Sequence, residues 1–147
     1  MITDNETILP STPINTTMFE PVPMWAKVPH GITFGGDATS VAIDSHDRVY
    51  VFNRGNTPVV IFDRTGKFLN GWGEGEFVRP HGIAFDTDDN IYLVDDDGHF
   101  VQKRTSEGEL IFTLGTPGSP SEWQSGGMFN RPTGVTVSKA TGDLFIS

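Results

Sequence analysis

An internal repeat of 42 residues limits what this chain can become. Val41-Ala42-Ile43-Asp44 stands in register with Ile83-Ala84-Phe85-Asp86, and Val49-Tyr50-Val51 with Ile91-Tyr92-Leu93. Gly66 and Gly73 match Gly108 and Gly115 at the same spacing, without a gap. A third copy opens at Val135-Thr136-Val137 and Leu144-Phe145-Ile146, after a Gly-, Pro- and Ser-rich insertion over residues 116–127. Repeats of this kind cannot bury their apolar faces singly, so the architecture must stack them.

Each copy holds four short apolar stretches, near 39–44, 48–53, 58–63 and 68–72 in the first and near 82–86, 90–95, 100–104 and 109–114 in the second. Polar turns such as Arg64-Thr65-Gly66 and Asp86-Thr87-Asp88-Asp89-Asn90 part them. Val, Ile, Tyr and Phe suit a pleated sheet packed on both faces, and the 17 glycines suit tight hairpins. Four strands in about 42 residues is the proportion of one β-propeller blade. The fold class is therefore all-β, a β-propeller with blades over 39–73 and 78–115 and a partial blade over 129–147. Helical solenoids are excluded, because they need long amphipathic segments and the sequence has none. Propellers close with about four to eight blades, and this chain carries about two and a half. The missing blades are expected from the rest of a longer protein or from another chain, because an open arc leaves apolar faces bare.

Residues 1–38 read as a polar, proline-rich leader that ends in a docking segment. Pro10, Pro13, Pro21 and Pro23 fall among Thr, Asn and Ser, whereas Trp25, Val28, Ile32 and Phe34 supply apolar surface. Met1 to Pro13 lacks both a basic start and an apolar stretch, so no secretory signal is visible and the compartment stays unassigned. No apolar run reaches membrane-spanning length, which points to a soluble protein that does not enter a membrane. A net charge of −9 argues against nucleic acid as a partner and leaves room for a cation site. Without cysteine the chain has neither disulfides nor thiolate metal ligands.

His81 is the candidate that stands out. It lies between Pro80, which fixes a torsion, and Gly82, just before an apolar strand. A histidine there either ligates a metal or donates a hydrogen bond at the strand entrance. His30 repeats the Pro-His-Gly triplet but lies eleven residues before Val41, and reads as a turn residue. Arg54 can cap a turn through Asp95 or Asp96. The Asp-rich runs at 86–89 and 95–97 lack the spacing of an EF-hand and read as turn formers. His46 and His99 fall in predicted turns and are expected in solvent. Tyr50, Tyr92, Trp72 and Phe112 read as blade packing, and Trp123 as a loop anchor or a channel-mouth residue.

Ser-Val-Ala-Ile-Asp (40–44), Val-Phe-Asn-Arg-Gly (51–55), Arg-Pro-His-Gly-Ile (79–83) and Phe-Asn-Arg-Pro-Thr-Gly-Val (129–135) follow one another in order. This series resembles NHL-repeat propellers and, within them, the peptidyl-α-hydroxyglycine α-amidating lyases. The resemblance implies a six-bladed ring whose enzymes split a peptide-derived small substrate into a peptide amide and glyoxylate. It implies that His81 is the first of three zinc-binding histidines, and that Arg54 is catalytic, facing the substrate beside a tyrosine. It further implies that a structural calcium takes the backbone carbonyls of Val41 and Ile83. The family tyrosine follows a Phe-x-Ser sequence, matched by Phe145-Ile146-Ser147, so it and the two other histidines are expected beyond Ser147. No activity is expected of this stretch by itself. Asn53 stands where animal members carry histidine, and those members have disulfides that this chain cannot form. The rival readings are an NHL scaffold for protein partners and a lactonase-like calcium propeller hydrolase.

Overall fold

A computed structural model describes residues 20–122 and 124–147. The leader before Glu20 and the side chain of Trp123 lie outside the described residues, and with them the readings given for both. The described chain is all-β. Strands β1 (Ala38–Ile43), β2 (Val49–Asn53), β3 (Val59–Phe62) and β4 (Phe68–Trp72) form one antiparallel sheet in chain order. Strands β5 (Pro80–Phe85), β6 (Ile91–Asp95), β7 (Phe100–Arg104) and β8 (Leu110–Gly115) form a second, and β9 (Val135–Val137) and β10 (Leu144–Ile146) pair as a third. These are the two blades and the partial blade that the repeat predicts. No helix among the described residues is long and apolar enough to cross a membrane.

Aspartates close the hairpins by offering a carboxylate where the backbone lacks an acceptor. Asp44 Oδ1 accepts the N–H groups of His46 and Arg48, each at 2.9 Å. Asp86 Oδ1 does the same for Asp88 and Asn90, again at 2.9 Å. Asp86 is thus engaged in its turn, and Asp95 Oδ1 accepts the Gly98 N–H in the turn after β6.

Side chains alternate across each strand, so every sheet presents two apolar faces. Tyr50, Phe52, Val59 and Ile61 of the first sheet meet Ile83, Ile91 and Leu93 of the second. Tyr92, Val94 and Val101 repeat that arrangement one blade on, against Val135, Val137, Leu144 and Ile146. The remaining face of the first sheet, with Val51, Val60 and Phe62, is covered by Trp25, Ala26, Ile32 and Phe34. Docking of the segment is held by the Lys27 N–H to the Gly66 carbonyl at 2.8 Å and by Asn56, whose carboxamide bonds Gly31 and Thr33. Val28 takes no part and stays exposed.

Trp72 fills the outer part of the first junction, where it lies against Gly108 and beneath the Arg104 guanidinium. Tyr50 and Tyr92 are buried, as expected of core residues. Burial pushes the Tyr50 hydroxyl up to about 12, so it stays protonated. Phe112 packs on Tyr92 in a T-shaped contact and is 37% exposed.

Two consequences are measurable. Leu93 is fully buried between the first two sheets, so Leu93→Ala should cost about 2–5 kcal/mol in denaturant unfolding. Burial raises the Asp86 carboxyl, but the Lys103 ammonium at 2.8 Å and the N–H groups of Asn90 and Asp88 outweigh it and hold its pKa below the usual range. That stabilisation is complete above the unfolded-state pKa of about 3.9 and fades as pH falls through the lower folded-state value. Asp86→Asn should therefore be less stable than the parent at pH 7, and the gap should close below about pH 4.

Candidate functional site

The inner strands β1, β5 and β9 lie side by side, one from each sheet. Each pairs within its own sheet along one edge, which leaves the other, inner edge free of strand pairing. In β1, Ala38 pairs with Asn53 and Ser40 with Phe52, so Thr39 is an extra residue. In β5, Pro80 pairs with Asp95 and Gly82 with Val94, so His81 is the extra residue at the equivalent place. A bulge bends the strand and re-aims the side chain it carries. The Pro80-His81 step thus belongs to the strand instead of preceding it, because the bulge lets pairing resume at Pro80.

His81 is half-buried, and its Nδ1 lies 2.7 Å from the carbonyl oxygen of Thr133, at the entrance to β9. A carbonyl can only accept, so Nδ1 carries the hydrogen and the Nε2 lone pair is left for another partner. Metal-binding histidines are commonly fixed by such a bond from the second ring nitrogen. Gly82 serves this contact by its size. Its φ lies outside the left-handed region, but a Cβ there would come within 2.8 Å of the same Thr133 oxygen. The close approach of the third blade, not an unusual torsion, is what calls for glycine here.

Arg54 follows β2 and reaches the same junction. Its Nε donates to the Pro80 carbonyl at 3.3 Å, immediately before His81, and its Nη1 to Asp37 Oδ2 at 2.8 Å. Capping through Asp95 or Asp96 does not occur, because both carboxylates are engaged elsewhere. Asp95 is fully buried and accepts the N–H groups of Val78, Arg79 and Gly98. Asp96 pairs with Arg79 at 3.0 Å and with Arg131 at 3.3 Å.

The strand register also settles where the Val41 and Ile83 backbone groups point. Asp44 donates to Arg48 and Asp86 to Asn90 across their hairpins. Hydrogen-bonded and non-bonded pairs alternate in an antiparallel ladder. Counting back, Val41 opposite Val51 and Ile83 opposite Leu93 are non-bonded pairs. Their carbonyls therefore face the free inner edge, not β2 or β6. Carbonyl oxygens of this kind suit a hard cation such as calcium.

The other histidines are separate. His30 is an exposed turn residue. His46 is exposed and lies 3.2 Å from Asp89. His99 departs from the solvated expectation: it is half-buried in a left-handed conformation, and its Nδ1 accepts the Arg131 N–H at 3.1 Å. The entrance to the third blade leans on it, which no local pattern announces. Among the described residues no three His, Asp or Glu side chains converge on one point. His81 is thus one candidate ligand, with Arg54 beside it. No local sequence pattern marks Asp37 or Thr133 as part of this site. The 42-residue register does align Asp37 with Arg79 and Arg54 with Asp96.

Residues 38–107 match a family model described as a six-bladed β-propeller. The chain is 36% identical over 97 residues to peptidyl-alpha-hydroxyglycine alpha-amidating lyase 1 of Drosophila melanogaster, covering 64% of this chain and 17% of that protein. It is 30% identical over 140 residues to peptidyl-glycine alpha-amidating monooxygenase of Mus musculus, covering 76% and 14%. It is 35% identical over 132 residues to NHL repeat-containing protein 3 of Homo sapiens, covering 83% and 37%. The chain thus spans well under half the length of these relatives. It is a β-propeller chain of four-stranded blades, related in sequence to the amidating lyases and to NHL-repeat proteins.

The Thr133 contact can be tested directly. Gly82→Ala should push that carbonyl away, lower stability by about 1–3 kcal/mol, and shift the His81 imidazole resonances in NMR spectra.

Proposed function

We propose that these blades form part of a metal-assisted lyase that cleaves peptidyl-α-hydroxyglycine. The observation that carries this reading is His81, held on an inner-strand bulge by the Thr133 carbonyl with Nε2 left over and Arg54 at its flank. The names of the lyase and monooxygenase relatives favour the same chemistry. His81 would be one ligand of a zinc ion, with further ligands supplied from outside the described residues. A bound zinc supplies Lewis acidity that lowers the pKa of a hydroxyl. The carbonyls of Val41 and Ile83 would hold a structural calcium between the first two inner strands.

The reaction removes the hydroxyl proton of the α-hydroxyglycine unit, forms a carbonyl at that carbon and breaks its bond to nitrogen. The nitrogen leaves with the bonding pair and takes up a proton, giving the peptide amide and glyoxylate. Arg54 is permanently charged and spends two of its N–H donors on Pro80 and Asp37. Its other donors can steady negative charge as the carbonyl forms.

A second reading, an NHL scaffold for a protein partner, is favoured by the match to NHL repeat-containing protein 3, of which the chain covers the largest share among the relatives named here. The two readings separate in one experiment on the whole protein. Zinc content and cleavage of a peptide ending in α-hydroxyglycine should both fall on His81→Ala, activity by at least on the order of 100-fold. A whole protein that holds no zinc and cleaves nothing would exclude the lyase reading, and unchanged zinc and cleavage in His81→Ala would exclude His81 as a ligand.

A further inference from the structure

The first two blades carry the same ion pair with its charges reversed. Asp37 and Arg79 are equivalent under the 42-residue repeat, and so are Arg54 and Asp96. Both pairs have the same backbone frame: the Arg54 N–H donates to the Asp37 carbonyl at 3.0 Å, and the Asp96 N–H to the Arg79 carbonyl at 3.1 Å. Both are closed by side chains, at 2.8 Å and 3.0 Å. In the second blade the carboxylate is the inner member, and it also receives Arg131 from the third. That arrangement clasps two blades through one buried anion, because the Asp96 side chain is only 5% exposed.

The first junction gives up this clasp. A carboxylate at position 54 would sit where Asp96 does and could receive Arg79 from the next blade. A guanidinium stands there instead, Arg79 turns to Asp96, and Arg54 bridges to the Pro80 carbonyl. Through that bond the departure from the repeat touches the chain at Pro80, one residue before His81. Breaks in an otherwise consistent pattern concentrate at functional sites. Asp37 is 58% exposed in its side chain and makes no clasp between blades; its visible role is to hold Arg54.

We infer that Asp37 is a positioning residue for Arg54, and that the reversed direction of this pair is what presents a positive charge beside His81. The inference rests on the lyase reading for the identity of the substrate, but not for the geometry. In the parent, the Arg54 Nε–H resonance, assigned by its loss in Arg54→Lys, should be protected from exchange. Asp37→Asn should weaken that protection on the order of tenfold, with partial rescue by Asp37→Glu. In the whole protein, Asp37→Asn should lower kcat on the order of tenfold with KM little changed. The double variant Asp37→Arg/Arg54→Asp, which copies the second blade, should keep the parental Tm yet lose cleavage.

The outcomes are separable. If Asp37→Asn leaves both Arg54 exchange and kcat as in the parent, the positioning role is overturned while the lyase reading stands. If the parent shows no cleavage but Arg54 exchange depends on Asp37, the lyase reading fails and the positioning role holds. A double variant that cleaves like the parent would overturn the claim about charge direction.

Discussion

Packing of one sheet face on the next holds this molecule together. A single four-stranded sheet has two apolar faces and covers neither by itself. Tyr50, Phe52, Val59 and Ile61 find cover only because Ile83, Ile91 and Leu93 arrive in the next copy of the repeat. The same step, repeated, seats Val135 and Leu144 on Tyr92 and Val101. On the opposite side, Trp25 and Phe34 close the first sheet, so the segment before β1 does the work of a neighbouring blade. Hydrophobic burial is not directional, and the twist and pairing of the strands supply the direction that it lacks.

That stacking brings the inner strands together, and the bulges then decide what faces the interior. An extra residue at Thr39 and another at His81 interrupt otherwise regular ladders at the same point of each blade. At the first place the side chain hydrogen-bonds its own sheet, through Thr39 Oγ1 to the Phe52 carbonyl. At the second, the imidazole reaches forward to the next blade. One backbone device thus carries a satisfied threonine in one copy and a poised histidine in the next. The difference lies in side-chain length and in the close approach of Thr133, which Gly82 permits.

Much of this was legible beforehand. The 42-residue register located every strand of the two full blades to within about two residues, since apolar alternation and Asp- or Gly-closed turns are local signals. The core assignment of Tyr50 and Tyr92 followed from their equivalence. The aim of the His81 imidazole, the partner of Arg54 and the engagement of His99 did not follow. Each depends on an atom from another blade or from the entry segment: the Thr133 carbonyl, the Asp37 carboxylate, the Arg131 N–H. Such contacts join residues that neither periodicity nor turn chemistry relates.

By itself the chain of residues determined the blade. Strand spacing, turn chemistry and the alternation of Val, Ile, Tyr and Phe are properties of neighbours in sequence, and they act before any blade meets another. Tertiary structure decided which polar groups meet at the junctions. Asn53 and Asp95 occupy equivalent places, yet one donates to the Thr57 and Pro58 carbonyls while the other accepts three N–H groups. A buried polar atom must satisfy whatever group the packing sets opposite it, and that group is known only once the sheets have come together.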